Sequence, residues 1–249
     1  MTGSGGDSRS AGCPLLPLAP VTVVAGHYGV GKTNLSLNLA LDAAADGADV
    51  VLADLDVVNP YFRTSDYASM LEDRGVRVIA PVMAGTTLDS PSLSGRVTTM
   101  VEWAQQAPDG ERRVLIIDAG GDDVGATALG RFAKTIEGGP YELLYVVNRS
   151  RNLTQNPADA AGVLREIEAK SHLRATAVVN NTHLKQDTDE FTVREGVPFA
   201  EAVAKAAGLP LACTTVPSAL ADRKSTRFDL NDRPQTLYPV QIYVRTPWE

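Results

Sequence analysis

Eight consecutive residues, Gly26-His27-Tyr28-Gly29-Val30-Gly31-Lys32-Thr33, limit what this chain can fold into more than any other part of it. They fit G-x-x-x-x-G-K-[ST] in full, directly after the apolar run 21–25 and directly before a helical pattern over 34–46. The glycines let the backbone wrap closely around phosphate oxygens with its N–H groups turned inward. The helix start adds the positive end of its dipole. Lys32 is expected to neutralise the outer phosphates of a bound polyphosphate, and Thr33 to offer its hydroxyl to magnesium. The expected phosphate cradle thus runs from Gly26 through Asn34. A glycine-rich turn that carried Lys-Thr by accident would not bring the strand and the helix with it.

The same strand-then-helix rhythm continues to the end of the chain. Apolar runs at 21–25, 50–53, 76–80, 114–117, 142–147, 175–179 and 211–215 read as strands, with 240–244 as a last one. Helical patterns fall at 34–46, 92–106, 126–137, 157–170 and 199–207. In the first of these Leu35 and Leu39, and Leu37 and Leu41, recur at helical spacing, and Gly47 stops it. Continuous apolar strands separated by helices predict a doubly wound, mostly parallel α/β sheet with helices on both faces. Residues 20–249 read as one domain. Residues 1–19, rich in Gly and Ser and then broken by Pro14 and Pro17, read as a flexible leader. The segment 222–235 is polar and lies too near the end to divide domains.

Three carboxylates fall where strands end. Asp54 and Asp56 close the second strand, two residues apart, so both can face one way. Asp118 follows four apolar residues, the pattern of a strand whose Asp holds magnesium directly or through water. Gly120 and Gly121 come next and can swing a backbone N–H onto a terminal phosphate. Asp122 and Asp123 read as a solvated turn. Parallel sheets bind their ligands at this edge.

Composition narrows the setting. The formal charge of −7 works against nucleic acid and anionic lipid, so nucleic acid is not an expected partner. The two cysteines, Cys13 and Cys213, form no Cys-x-x-Cys or Cys/His cluster, which argues against a zinc site and a disulfide framework and points to the cytoplasm. There is no secretory signal and no apolar run long enough to span a bilayer.

Together GHYGVGKT, LADLD at the second strand and VLIIDAGG resemble the MinD/ParA-type P-loop ATPases of the SIMIBI class, a group that takes in the CobQ/CobB and dethiobiotin synthetase relatives. The resemblance implies ATP and Mg²⁺ as cofactors, with Lys32 in the Walker A loop as a catalytic residue. It implies that Asp56 orients the attacking water, and that Thr33, Asp54 and Asp118 serve the metal. Two features depart from that group. His27 stands where the family carries a signature lysine, and Tyr28 where a glycine is usual; a neutral imidazole supplies no dependable charge. The family's trans-activated dimer is therefore not implied, and whether the chain forms a homodimer stays open. The end of the chain, with Pro239 and Pro247, reads as a strand and a short tail rather than a membrane-binding amphipathic helix.

Asn180 and Asn181 follow the strand 175–179. An amide offers a donor and an acceptor that match the N6/N7 edge of adenine, and one of the pair is free to cap the turn. A guanine site would carry a carboxylate in an Asn-Lys-x-Asp pattern, whereas this stretch reads Asn180-Asn-Thr-His-Leu-Lys185. ATP is therefore expected over GTP. Arg149 and Arg151 lie on the same edge and suit an anion, although loop arginines are more often solvated. His172 and His183 read as isolated surface residues. Tyr61, Phe62 and Arg63 suit a grip on a partner or substrate, or simple packing. The expected function is an Mg-dependent ATPase acting as a nucleotide switch on a protein client. The alternatives are a metabolic enzyme of the dethiobiotin synthetase or CobQ/CobB type that activates a carboxylate of a small-molecule substrate, and a non-hydrolysing ATP-binding module.

Overall fold

The computed structural model describes residues 16–56, 67–80, 91–151, 155–221 and 236–244. Among these the chain runs β1 (Val21–Ala25), α1 (Lys32–Ala45), β2 (Asp49–Leu55), α2 (Ala68–Glu72), β3 (Val76–Ile79), α3 (Pro91–Gln105) and β4 (Arg113–Ala119). It continues through α4 (Asp123–Gly130), α5 (Ala133–Ile136), β5 (Tyr141–Val147), α6 (Pro157–Ser171), β6 (Ala177–Asn180), α7 (Glu190–Ala207), β7 (Leu211–Pro217), α8 (Ser218–Ala221) and β8 (Leu237–Val240). The strands form one sheet in the order β3-β2-β4-β1-β5-β6-β7-β8. Every neighbouring pair is parallel, so the expected mostly parallel doubly wound sheet is wholly parallel among the described residues.

Register decides where the polar residues meet. β1 is flanked by β4 and β5, and Val24 lies level with Asp118. Asp118 in turn lies level with Asp54 of β2. On the other side Asn180 is level with Val147 and with Thr214. Each chemistry-bearing residue thus ends its strand at the same carboxyl edge as the loop after β1, where open parallel sheets leave a crevice.

The two faces are unequal. One face packs Val97, Val101, Leu129, Leu164 and Val203 of the helices α3 to α7, with Phe132 between α4 and α5, against Val23, Ile117 and Tyr145. The other packs α1 through Leu35, Leu37 and Leu39, with the last strand contributing Tyr238 and Val240. α1 is buried at every position from Lys32 to Ala43, which explains leucines in two helical phases. A helix apolar on more than one side must be covered on more than one side. Here the sheet covers one side and residues 238–244 the other.

Several boundaries differ from the sequence expectation, each for a local reason. The helix expected at 126–137 is two helices, α4 and α5, separated at Arg131–Phe132. Gly130 ends the first against α6, where a Cβ would lie 2.7 Å from the Lys170 carbonyl oxygen. The helix expected from 199 begins at Glu190, capped by Asp189, whose carboxylate accepts from Thr192 N at 2.8 Å. Pro198 lies inside it. A proline reads as a helix start, but the buried stripe Val193, Val197, Ala200, Val203, Ala204 carries α7 through it. The strand expected at 240–244 is Leu237–Val240, and 241–244 run on without a ladder. Pro239 is tolerated because β8 is an edge strand. Residues 16–19, assigned to the leader, pack on the domain: Leu16 is buried, and Ala19 N donates to Glu142 Oε2 at 3.2 Å. The segments carrying Tyr61, Phe62 and Arg63, and residues 222–235, lie outside the described residues. Among the described residues no helix is long and apolar enough to cross a membrane.

Candidate nucleotide-binding site

The loop between β1 and α1 opens onto a cavity of about 510 Å³, within the range of small-molecule sites. Tyr28 through Asn34 form its floor, and Asp56, Asn148, Arg151, Asn181, His183 and the tail residues Ile242 and Val244 contribute to its walls. Gly31 has φ +93, and a Cβ there would stand 2.4 Å from Asn181 Nδ2. Only glycine lets that amide in, and the amide holds the loop: Asn181 Nδ2 donates to the Val30 carbonyl at 2.7 Å. Its Oδ1 accepts from Thr215 Oγ1 at 2.6 Å, so β7 anchors Asn181 and Asn181 anchors the loop.

Lys32 is buried at the start of α1, with its Nζ donating to the His27 carbonyl at 3.3 Å. Burial pulls its ammonium below the ordinary lysine value, while Asp118, Asp56 and Asp122, in that order, push it back up. Those carboxylates converge from separate elements. Asp118 ends β4 and is 1% exposed, and Asp54 beside it is 2% exposed, far from the usual fate of an aspartate. Asp54 Oδ1 accepts from Asp56 N at 2.9 Å, a short turn that presents Asp56 to the cavity. Asp122 caps α4 through Gly125 N at 2.8 Å, so it is more than the solvated turn residue expected.

Gly120 and Gly121 are glycines because of what they touch. A Cβ on Gly120 would lie 3.3 Å from Asp56 Oδ1 and 3.5 Å from Asp122 Oδ1. One on Gly121 would lie 2.3 Å from the Gly26 carbonyl oxygen and 2.8 Å from Tyr28 N. The turn after β4 is therefore in direct backbone contact with the phosphate loop. A shift in one must be felt by the other.

Magnesium takes few protein ligands and leaves its remaining positions to phosphate oxygen and water. Thr33 at the first turn of α1 and buried carboxylates at the ends of β2 and β4 are hard oxygen donors that suit such an ion. Among the described residues no group of three or more His, Cys, Asp or Glu side chains stands ready to hold a metal alone. The donor set fits an ion that arrives with its nucleotide.

The asparagine pair divides its work. Asn180 is fully buried, donates to Thr214 Oγ1 at 3.3 Å and accepts from Thr182 N at 3.2 Å, capping the turn. Asn181 alone of the two lines the cavity. Asn34 also lines it, but its amide is spent on the tail: Nδ2 donates to the Gln241 carbonyl at 3.0 Å, and Oδ1 accepts from Tyr243 N at 2.9 Å. The carboxylate absent from 180–185 arrives two residues later, since Asp187 in the 3-10 turn Lys185–Asp187 also borders the cavity.

His183 corrects an expectation. It is buried rather than on the surface, and it borders the cavity. Its Nδ1 accepts from Lys185 N at 3.2 Å, which puts the proton on Nε2. Burial, then the charges of Arg151 and Lys185, hold its pKa down to about 4, so the ring is neutral at pH 7. His172 is exposed, as expected.

A polar stripe on α1 fastens the tail. Asn34, Asn38 and Asp42 recur every fourth residue on α1, a polar stripe through the leucines. Asn38 Nδ2 donates to the Gln241 carbonyl at 2.9 Å and its Oδ1 accepts from Gln241 N at 2.8 Å. Tyr238 Oη donates to Asp42 Oδ2 at 2.6 Å. The spacing was there to be read; its partner, 200 residues away in sequence, was not.

A model of the CobQ/CobB/MinD/ParA nucleotide binding domain matches residues 21–207 of the sequence. No curated protein matches it. Among solved structures, the chain is similar to the signal recognition particle receptor FtsY from Elizabethkingia anophelis in complex with GDP, with a TM-score of 0.51 and 21% identity over 78% of this chain and 56% of that one. It is similar to the signal recognition particle 54 kDa protein from Aeropyrum pernix in complex with GDP, with a TM-score of 0.51 and 16% identity over 84% of this chain and 44% of that one. These likenesses concern the fold, and the chain spans about half the length of either protein.

Proposed function

This chain belongs to the CobQ/CobB/MinD/ParA nucleotide-binding family, and from that premise we propose that it is a magnesium-dependent ATPase whose nucleotide state is read by a partner protein. The observation that carries the reading is the meeting of the loop lysine, Lys32, with Asp56 and Asp118 at one edge of the sheet. Asp56 faces the cavity and accepts a hydrogen bond from a water, which attacks the terminal phosphorus. The new O–P bond replaces the bond to the bridging oxygen, and the water's proton leaves with the phosphate. Lys32 and backbone N–H groups of the loop stabilise the charge on the transferring group. Magnesium, held by Thr33 with Asp118 and Asp54, would neutralise the phosphate oxygens. The contact between Gly121 and the loop gives the reaction an outlet: a turn that follows the terminal phosphate changes the surface formed by Tyr28 and Val124, both 54% exposed.

Adenine is the base we assign, through the second Nδ2 hydrogen and the second Oδ1 lone pair that the bonds to Val30 and Thr215 leave to Asn181 at the cavity wall. Asp187 on the same wall favours guanine as the second reading, because a carboxylate pairs with the N1–H and N2–H₂ donors of that base. Competition calorimetry with ATP and GTP separates them. The expected result is ATP preferred at least about tenfold, or ~1.4 kcal/mol. Equal affinities, or tighter GTP that weakens in Asp187→Asn, would transfer the assignment to guanine.

A further inference from the structure

We propose that Arg151 is a second cation of this site, contacting the polyphosphate of the bound nucleotide across the phosphate loop from the β5 side. The inference rests on the nucleotide-binding reading above and adds a residue to it.

The first argument is charge. Three carboxylates, Asp118, Asp56 and Asp122, act on the single ammonium of Lys32. A nucleoside triphosphate brings more negative charge into that setting. The dipole of α1 offers the equivalent of only about half a charge. Magnesium would offset part of that charge, and a further cation facing the cavity would strengthen the hold on a polyphosphate. Of the residues bordering the cavity, Arg151 and Lys185 are the other cations. Both charges reach His183, but Lys185 belongs to the 3-10 turn Lys185–Asp187, whereas the Arg151 side chain lies against Gly29 of the loop itself.

The second argument is the contrast between two arginines. Arg149 and Arg151 both follow Asn148 at the end of β5. Arg149 is accounted for: its Nη1 pairs with Glu195 Oε2 at 2.5 Å, on the outside of α7. Arg151 has no ion pair and no side-chain hydrogen bond among the described residues. Its side chain covers Gly29 instead, where a Cβ would lie 3.8 Å from Nε, 3.9 Å from Cδ and 4.0 Å from Cζ. Gly29 has φ +76, which favours glycine, and the guanidinium stands at ordinary van der Waals distance from where its Cβ would be.

The third argument is that the placement is built. Asn148 is 2% exposed, and its Oδ1 accepts from Ser150 N at 2.9 Å. Its carbonyl accepts from Arg151 N at 3.2 Å. This turn folds the chain back over the loop and sends Arg151 toward the cavity. A planar guanidinium can bond two phosphate oxygens through a fixed pair of parallel N–H groups, a geometry that an ammonium lacks.

Calorimetry with ATP, ADP and AMP on Arg151→Ala, Arg151→Lys, Arg149→Ala and Lys32→Ala tests the inference. Arg151→Ala is expected to weaken ATP and ADP by about tenfold or more, and AMP by less. Arg151→Lys should recover part of the loss, and Arg149→Ala should bind as the wild type does. If Arg151→Ala binds ATP within about twofold of wild type while Lys32→Ala loses binding, the inference falls and the site reading stands. Equal losses for AMP and ATP would place Arg151 on the nucleoside and overturn it too. If Lys32→Ala binds ATP normally, the site reading falls and takes the inference with it.

Discussion

The two flanks of the phosphate loop are built from opposite materials. On the side of β6, β7 and the tail, the groups that hold the loop are amides and hydroxyls. Asn181 bridges the Val30 carbonyl and Thr215, and Asn34 and Asn38 together bind Gln241 and Tyr243. On the side of β2 and β4, the polar groups are carboxylates, crowded about one lysine and two glycines. The neutral flank resembles a buried hydrogen-bond network, which rigidifies what it holds. The charged flank costs the free protein energy, because buried carboxylates are poorly solvated. Such groupings concentrate at functional sites. One flank therefore sets where the loop is, and the other what can happen on it.

If that division is right, the largest effect comes from the charged flank and spares binding. Asp56→Asn should retain Mg-ATP affinity and lose hydrolysis by about a thousandfold, roughly 4 kcal/mol of activation free energy. Single-turnover measurement at matched, saturating Mg-ATP reads it. Asp118→Ala should instead weaken the magnesium dependence of binding. A wild-type rate in Asp56→Asn would move the water-positioning role to Asp54 or Asp122.

Acid should break the neutral flank first. His183 has a folded pKa lowered to about 4, against an ordinary value of 6.5. Above pH 6.5 neither state binds the proton, and its contribution to stability is fully present. As pH falls below 6.5 the unfolded chain takes up a proton that the folded one refuses, so stability is lost down to about pH 4. The integrated loss is about 3 kcal/mol. Urea unfolding at pH 7, 5.5 and 4.5 measures it, and His183→Gln should flatten the slope over that window. An unchanged slope in the variant would assign the acid sensitivity to other groups.

The smallest effect is the loss of the Asn181 clamp. Asn181→Ala leaves the Val30 carbonyl and the Thr215 hydroxyl without this partner and should cost about 2 kcal/mol in a denaturant midpoint, with an unchanged slope. Thr215→Val, which removes only the anchor of the clamp, should cost about 1 kcal/mol. If Asn181→Ala is as stable as the wild type, the neutral flank is not what holds the loop.

The sequence by itself determined whatever depends on short-range pattern. A loop of glycines between an apolar strand and a helix can be read because its chemistry lies within eight residues. Asp54, Asp56 and Asp118 were legible because each ends a strand, and strands of a parallel sheet end at one edge. Only the tertiary structure decided which neighbour each side chain met. Arg149 and Arg151 look alike in sequence, and the packing of α7 supplies Glu195 to one of them. His183 lies three residues past the end of β6, and nothing local tells a solvated turn from a wall closed by the loop, Arg151 and Lys185. Asn34 and Asn38 waited for a carbonyl more than 200 residues downstream. Periodicity and turn chemistry are properties of adjacent residues, whereas burial and pairing belong to the folded chain, which brings distant residues together only when the whole sheet has closed.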